Sequence, residues 1–356
     1  MIFNEFYSNF AYLDEWVDIY GFKINFDPAN TREYSIEYTV PDEIIANINE
    51  NCSVSIFFVP EFNLPYKRNQ LNPKQKTFFK IKFIEPQQID GFLHLQHLFQ
   101  DFLTLITGER SFPLEIFGIS SKTDEKIDLF YNPISKIETP KELFPDDMIF
   151  AFPAISNQFE EILKNWFEKA SLLRPVYTLY FATRYSSFIY VENRFLNQIQ
   201  ALETYHSRKY DKKYISEDIC LDVYNKLISS IPDYSGQEYS DFKTSLIARL
   251  HYINEYSLRK RLKSLIKDTN IVSHHIIDNT NDFIDKVVNT RNYLTHYSRD
   301  AELLAVKGKD LFFLTEKVKI LVEILLLREL GFPFEEIENF IIKNRDYMQH
   351  FVKKEK

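Results

Sequence analysis

Glycine and cysteine are the scarce residues here, with 7 Gly and 2 Cys in 356 residues. The glycines stand far apart, at 21, 91, 108, 118, 236, 308 and 331, so neither G-x-G-x-x-G nor G-x-x-x-x-G-K-[ST] can be built from them. That excludes nucleotide binding through a glycine-rich phosphate loop. Cys52 and Cys220 are too few for a disulfide framework or a cysteine-built zinc site. The opening residues, MIFNEFYSNFAYLDEW, hold no basic stretch followed by an apolar run. Two thiols without an export signal fit a reducing cytoplasm. Long apolar runs are missing as well. The most apolar stretch, ILVEILLLRELGF, is broken by Glu323, Arg328 and Glu329, whereas a membrane helix needs roughly 18 uncharged residues. No G-x-S-x-G nucleophile elbow occurs. The expectation is a cytoplasmic protein with no membrane partner.

Aromatic residues are plentiful, with 33 Phe and 22 Tyr, and they supply large apolar surface for cores. A content of 45% hydrophobic and 26% charged residues is globular, and 356 residues fit two domains or one large one. The net charge of −8 is unevenly spread: 13 Lys+Arg face 23 Asp+Glu over 1–150, a net of −10, and 30 face 28 over 151–356, a net of +2. An acidic whole argues against broad nonspecific nucleic-acid binding but leaves room for a local basic face in the second half.

The pattern of apolar residues divides the chain. SIEYTV (35–40) and SVSIFFV (53–59) are rich in β-branched and aromatic residues. TFFKIKF (77–83) alternates, with Phe79, Ile81 and Phe83 on one face and Lys80 and Lys82 on the other. The spacing then turns helical through Leu95, Leu98, Phe102 and Ile106 and stops at Gly108. LEIFGI (114–119) and KIDLFY (126–131) return to strand pattern. PDEI (41–44) and NQLNPKQ (69–75) read as turns or loops. From about Gln158 nearly everything reads as helix: QFEEILKNWFEKASLL, RFLNQIQALETYHSRKY, SEDICLDVYNKLI, DFKTSLIARLHYI, SLRKRLKSLIKD, NDFIDKVVNTRNYLTHY and DLFFLTEKVKILVEILLLRELGF, the last ended by Gly331 and Pro333. Such a chain of helices with short joins is a bundle. The expected fold is a strand-rich α+β domain with one helix over 1–154, then an all-α domain over 155–356.

Chemistry concentrates in TRNYLTHY (290–297), which holds Arg291, Asn292 and His296. Arginine followed by a polar residue, with histidine five positions on, resembles the R-x4-6-H signature of HEPN ribonucleases. RDYMQH (345–350) has the same spacing, but it stands in the charged last stretch and reads as a chance match. Upstream, FLNQIQALETYHSRKY resembles the first helix of the ApeA-like HEPN family, including its ALE core, and that resemblance runs over about 155–345. TVPDEI, SVSIFFV and FLHLQHLFQDFLTLITG resemble the later part of the ApeA N-terminal domain, with the front domain short of its earliest strands.

The resemblance implies a HEPN-type bundle that dimerises through the helical domain. It also implies a ribonuclease of bacterial anti-phage defence, with RNA as substrate, a phage-derived trigger and no cofactor. Arg291, His296 and Asn292 would be catalytic. Glu203 would be their polar neighbour, orienting Arg291 or acting on His296. The residue types suit the task. RNA cleavage needs its 2′-OH deprotonated, the charge on the phosphate stabilised and the 5′-oxygen protonated. A histidine can move the protons, and an arginine fork can bind the phosphate, with no metal. Asn292 and His296 share a helix face, but Arg291 and His296 are about 140° apart around one helix. Two helices across a twofold axis would converge better. The blander alternative is an Arg291 paired with a carboxylate and a His296 that merely packs.

Other clusters say less. Arg259, Lys260, Arg261 and Lys263 spread over the polar face of a helix whose Leu258, Leu262 and Leu265 point inward. They are candidates for RNA backbone contact, although a charge run is more often a solvated face. Arg208, Lys209, Lys212 and Lys213 form a weaker basic group. His94, His97 and Asp101 have i, i+3, i+7 spacing suited to a metal, but no completing carboxylates are evident. His274 and His275 fall in an expected turn and carry no pattern.

Overall fold

In a computed structural model of the chain, the first part builds β1 (Ile2–Phe10), α1 (Leu13–Val17), β2 (Phe22–Phe26), β3 (Tyr34–Tyr38), β4 (Ile44–Asn49), β5 (Cys52–Asn63), β6 (Asn72–Gln88), α2 (Ile89–Thr107), β7 (Pro113–Ser120) and β8 (Lys126–Asp128). The structure describes all residues except 27–33, 64–71, 131–140, 187, 211 and 351–356. The last residue of the expected KIDLFY strand and the first three of the expected NQLNPKQ loop therefore lie outside the described residues, and the remaining NPKQ is not loop but the start of β6, paired with β5. Six strands form one sheet in the order β4-β5-β6-β1-β7-β8, every neighbour antiparallel, while β2 and β3 pair separately.

The central strand β1 has no clear signal in the sequence, because aromatic side chains cover both of its faces. Phe3, Phe6 and Phe10 point to the α2 side, and Tyr7 stacks on Phe117 at 4.6 Å on the other. A strand buried on both faces loses the alternation that marks a half-exposed one. On β6 the alternation is real: Phe79 and Ile81 are fully buried, and Lys80 on the opposite face pairs with Glu5 and Glu43. α2 lies across the inner face, with Phe99 stacked 3.6 Å from Phe79 and Phe92 5.3 Å from Phe6. It ends at Gly108, whose φ of 69° is the left-handed conformation glycine adopts without strain. Gly118 of β7 is required for a different reason. A Cβ there would sit 2.4 Å from the ring of Phe3.

Tight turns over 145–158 lead into the helices: α3 (Phe159–Tyr185), α4 (Val191–Tyr210), α5 (Glu217–Ser229), α6 (Gln237–Leu250), α7 (Leu258–Asp268), α8 (Asn270–Ser273), α9 (Thr280–His296), α10 (Arg299–Glu302), α11 (Gly308–Glu329), α12 (Phe334–Lys343) and α13 (Arg345–His350). Helical residues continue twelve past the end expected from the sequence, but the axis bends back near Pro175: the Trp166 ring lies 4.4 Å from that of Tyr177 and 6.3 Å from that of Phe181, approaches that a straight helix does not allow. Proline removes one helical hydrogen bond and crowds the preceding turn, which bends a helix, and Leu173, Val176, Tyr177 and Tyr180 are buried on either side of the bend. Leu173 is buried and its neighbour Leu172 exposed.

α3 joins the two parts. Its first half packs on α2, where Trp166 Nε1 donates a 2.8 Å hydrogen bond to the Leu98 carbonyl and the Trp166 ring meets Phe102. Its second half packs on α4 and α11. In the all-α part, α11 is the axis. Its buried Glu323 accepts hydrogen bonds from Tyr180 at 2.7 Å and Tyr347 at 2.6 Å, and Glu329 accepts from Tyr205 at 2.7 Å while pairing with Lys169 and Lys209. By contrast, α5 and α6 bury no residue at all. No helix among the described residues is long and apolar enough to cross a membrane.

Candidate functional site

The TRNYLTHY motif lies in the last two turns of α9. Asn279 caps that helix, its side chain accepting from the backbone N–H of Asn281 at 3.0 Å and Asp282 at 3.1 Å. Phe283, Ile284, Val287, Thr290 and Leu294 form the buried stripe. The helix stops where Tyr297 adopts φ 50°, a left-handed terminus. The motif residues occupy the side that the stripe leaves open.

Arg291 is held from two directions. Its Nη2 lies 3.6 Å from Glu203 Oε2 of α4, and its Nη1 donates to Asn292 Oδ1 at 3.4 Å. The two charged side chains are 35% and 27% exposed, which makes the pair a weak, solvent-screened one. Such a pair orients a guanidinium without sequestering it. His296 is the final residue of α9, exposed, and has no hydrogen bond or ion pair among the described residues. The chain thus brings Arg291 together with Asn292 and Glu203, while His296 lies about 140° around the helix from Arg291. Half of the blander alternative holds, since Arg291 pairs with a carboxylate. For the other half, His296 is exposed rather than packed in the core.

Glu203 is where three helices meet. On α4, Phe195, Ile199, Leu202, Tyr205 and His206 are buried, and Glu203 sits half-buried beside that stripe. Its carboxylate faces Arg291 of α9, and its backbone carbonyl accepts a 3.3 Å hydrogen bond from Arg261 Nη1 of α7. Sequence reasoning took Arg261 for a surface cation, and the structure corrects that. Its side chain is only 12% exposed, and its Nε donates to the Tyr256 carbonyl at 2.8 Å. It fastens α7 to α4. The hydrophobic spacing of α7 could not reveal this, because the partners are backbone oxygens. Arg259 pairs with Asp285 of α9, Lys260 lies 5.4 Å over the Tyr256 ring, and Lys263 is exposed.

His206, one turn beyond Glu203, is buried, and burial together with Arg261 and Lys212 pushes its pKa down to about 4. It stays neutral near neutral pH and is a packing group. In the weaker basic group, Lys209 is spent on Glu329 and Arg208 donates to the Leu172 carbonyl. His94 and His97 are exposed, whereas Asp101 turns inward to Tyr185, so this trio does not converge on a metal. Arg345 of the second R-x4-H match pairs with Asp147 at 3.3 Å, docking α13 on the turns after the sheet.

Residues 2–166 match the family model for ApeA N-terminal domain 1, and residues 196–336 match the one for Apea-like HEPN. No curated protein and no solved structure matches the chain.

Proposed function

The chain belongs to the ApeA-like HEPN family, and from that premise we propose that it is a metal-independent endoribonuclease of bacterial anti-phage defence. In this reading Arg291 binds the scissile phosphate through its guanidinium fork and stabilises the charge that grows on it. His296 takes the proton of the attacking 2′-OH and then gives it to the leaving 5′-oxygen, with Asn292 holding the substrate on the same face. Glu203 positions Arg291. The products are a 2′,3′-cyclic phosphate and a 5′-hydroxyl, and every proton is accounted for without a metal.

The observation that carries the reading is the Arg291–Glu203 pair of 3.6 Å, which aims the motif arginine while leaving it within reach of solvent. One chain offers Arg291 and His296 on different sides of one helix, so the composite site is completed by a second copy across a twofold axis. The other reading is a HEPN dimer that holds RNA or a protein partner without cutting it. The carboxylate already beside Arg291 favours it, because that partner must be displaced or shared when phosphate binds. Incubating the purified chain with RNA, with His296→Ala alongside, separates the two. Cleavage by wild type and none by the folded variant supports the enzyme, and binding without cleavage by either supports the module.

A further inference from the structure

Two histidines without a pattern in the sequence become a convergent group in space. α8 ends at Ser273, and His274 and His275 follow in the turn that leads to α9, their ring centroids 3.8 Å apart. His275 Nε2 is 2.5 Å from Glu338 Oε1 of α12. Ligand-capable atoms of His274, His275 and Glu338 all lie within 4.8 Å of one another. His274 Nδ1 is 2.9 Å from the Asn270 carbonyl oxygen. A carbonyl can only accept, so this contact puts the proton on Nδ1 and leaves the lone pair on Nε2. A backbone carbonyl that fixes one imidazole nitrogen so that the other can coordinate is the outer-shell arrangement of metal-bound histidine.

We propose that His274, His275 and Glu338 form a three-ligand site for a divalent transition metal of the zinc type, bracing the turn before α9 against α12. Two imidazoles and one carboxylate select this class. Mg²⁺ and Ca²⁺ prefer all-oxygen shells, whereas imidazole suits zinc and its neighbours. Zinc bonds of about 2.0–2.2 Å to nitrogen and oxygen hold tetrahedral ligand atoms somewhat over 3 Å apart. The His275–Glu338 contact would open by less than 1 Å, and the group as a whole would close. In the metal-free chain a proton occupies the space between His275 and Glu338, and the metal replaces it. A simple His–Glu ion pair accounts for those two residues but not for a second imidazole oriented by Asn270 beside the same carboxylate. His274 is exposed and His275 and Glu338 are half-buried, so a fourth position is open to water.

The site stands apart from the Arg291 chemistry and does not depend on it. Its effect is mechanical: it ties two segments of the bundle and holds the stretch from which α9 starts. Because the imidazoles must be neutral to coordinate, binding weakens as pH falls. The test is calorimetric titration of the untagged full chain with ZnCl₂, with thermal melts in parallel, on wild type, His275→Ala and Glu338→Gln. The expected result is one Zn²⁺ per chain, a raised Tm with zinc, and at least about tenfold weaker binding in the variants. Millimolar MgCl₂ should produce neither heat nor a shift. If His275→Ala fails to fold, Glu338→Gln keeps the size of the side chain and carries the comparison. Absence of saturable zinc binding, or equal affinity in wild type and Glu338→Gln, would overturn the site.

Discussion

Asp101 of α2 accepts a 2.5 Å hydrogen bond from the hydroxyl of Tyr185, the last residue of α3, and so ties the helix of the sheet to the helix that enters the bundle. The carboxyl is buried, and burial drives its pKa up to about 7 despite the opposing hydrogen bond from Tyr185. An unfolded aspartate titrates near 3.9. The folded state therefore binds a proton that the unfolded state releases between those values, and stability from this group is complete below about pH 4 and lost as pH rises through about 7. Asp101→Asn removes the titration and keeps an oxygen to accept from Tyr185. Thermal melts from pH 5 to 8 should show a smaller fall in Tm for the variant than for wild type. Parallel curves would mean that Asp101 does not titrate in that window.

His296→Ala should lower RNA cleavage by about 10²- to 10⁴-fold, the range of general acid–base catalysis, and leave the circular dichroism spectrum unchanged, since the side chain is exposed. Induced expression in bacteria should lose toxicity in step. If the folded variant cuts at the wild-type rate, His296 has no part in the chemistry. If His350→Ala abolishes cleavage instead, the second R-x4-H match is the operative one.

Glu203→Gln keeps the size of the side chain but removes the charge that faces Arg291. As a positioning residue, Glu203 should affect turnover more than substrate binding. We expect kcat to fall by about tenfold with KM nearly constant, and Glu203→Asp to recover part of the loss. A change confined to stability, with kinetic constants intact, would leave Glu203 as a strut between α4 and α9.

Cleavage should persist in EDTA at temperatures well below the melt and should stop with a 2′-deoxy residue at the cut site. The attacking group is the neighbouring hydroxyl, so end analysis should find cyclic phosphate. Activity that disappears with chelator and returns with Mg²⁺ would contradict the Arg291–His296 chemistry.

The proposed composite site calls for two copies, and among the described residues the helical part leaves apolar side chains exposed. α5 and α6 bury no residue, and Leu221 and Phe242 are 60% and 58% exposed. Exposed apolar helix faces of this kind mark association surfaces. Leu221→Lys with Phe242→Lys should shift the sedimentation of the full chain from dimer toward monomer and reduce cleavage accordingly. A wild type that sediments as a monomer while cutting RNA would refute the shared site, as would mixed Arg291→Ala and His296→Ala dimers with full activity.

The strand pattern of TFFKIKF, the helix stop at Gly108, the long helix ended by Gly331 and Pro333, and the TRNYLTHY motif were all legible in the sequence, because each depends on local spacing or on the conformational limits of glycine and proline. β1 was not, since aromatic burial on both faces erases the period of two. The second half of α3 was not, since Pro175 reads locally as an end, whereas helix resumes beyond it and packs back on the first half. At the site, the resemblance to the HEPN motif singled out Arg291, Asn292 and His296 and implied Glu203. Only the packing of α4 against α7 and α9 decided that Glu203 reaches Arg291 and that Arg261 is tied to backbone carbonyls, while His296 is left exposed. His274 and His275 illustrate the same limit. Adjacent histidines acquire meaning from a carboxylate 63 residues away, and contacts of that range are made by the fold, not by any period along the chain.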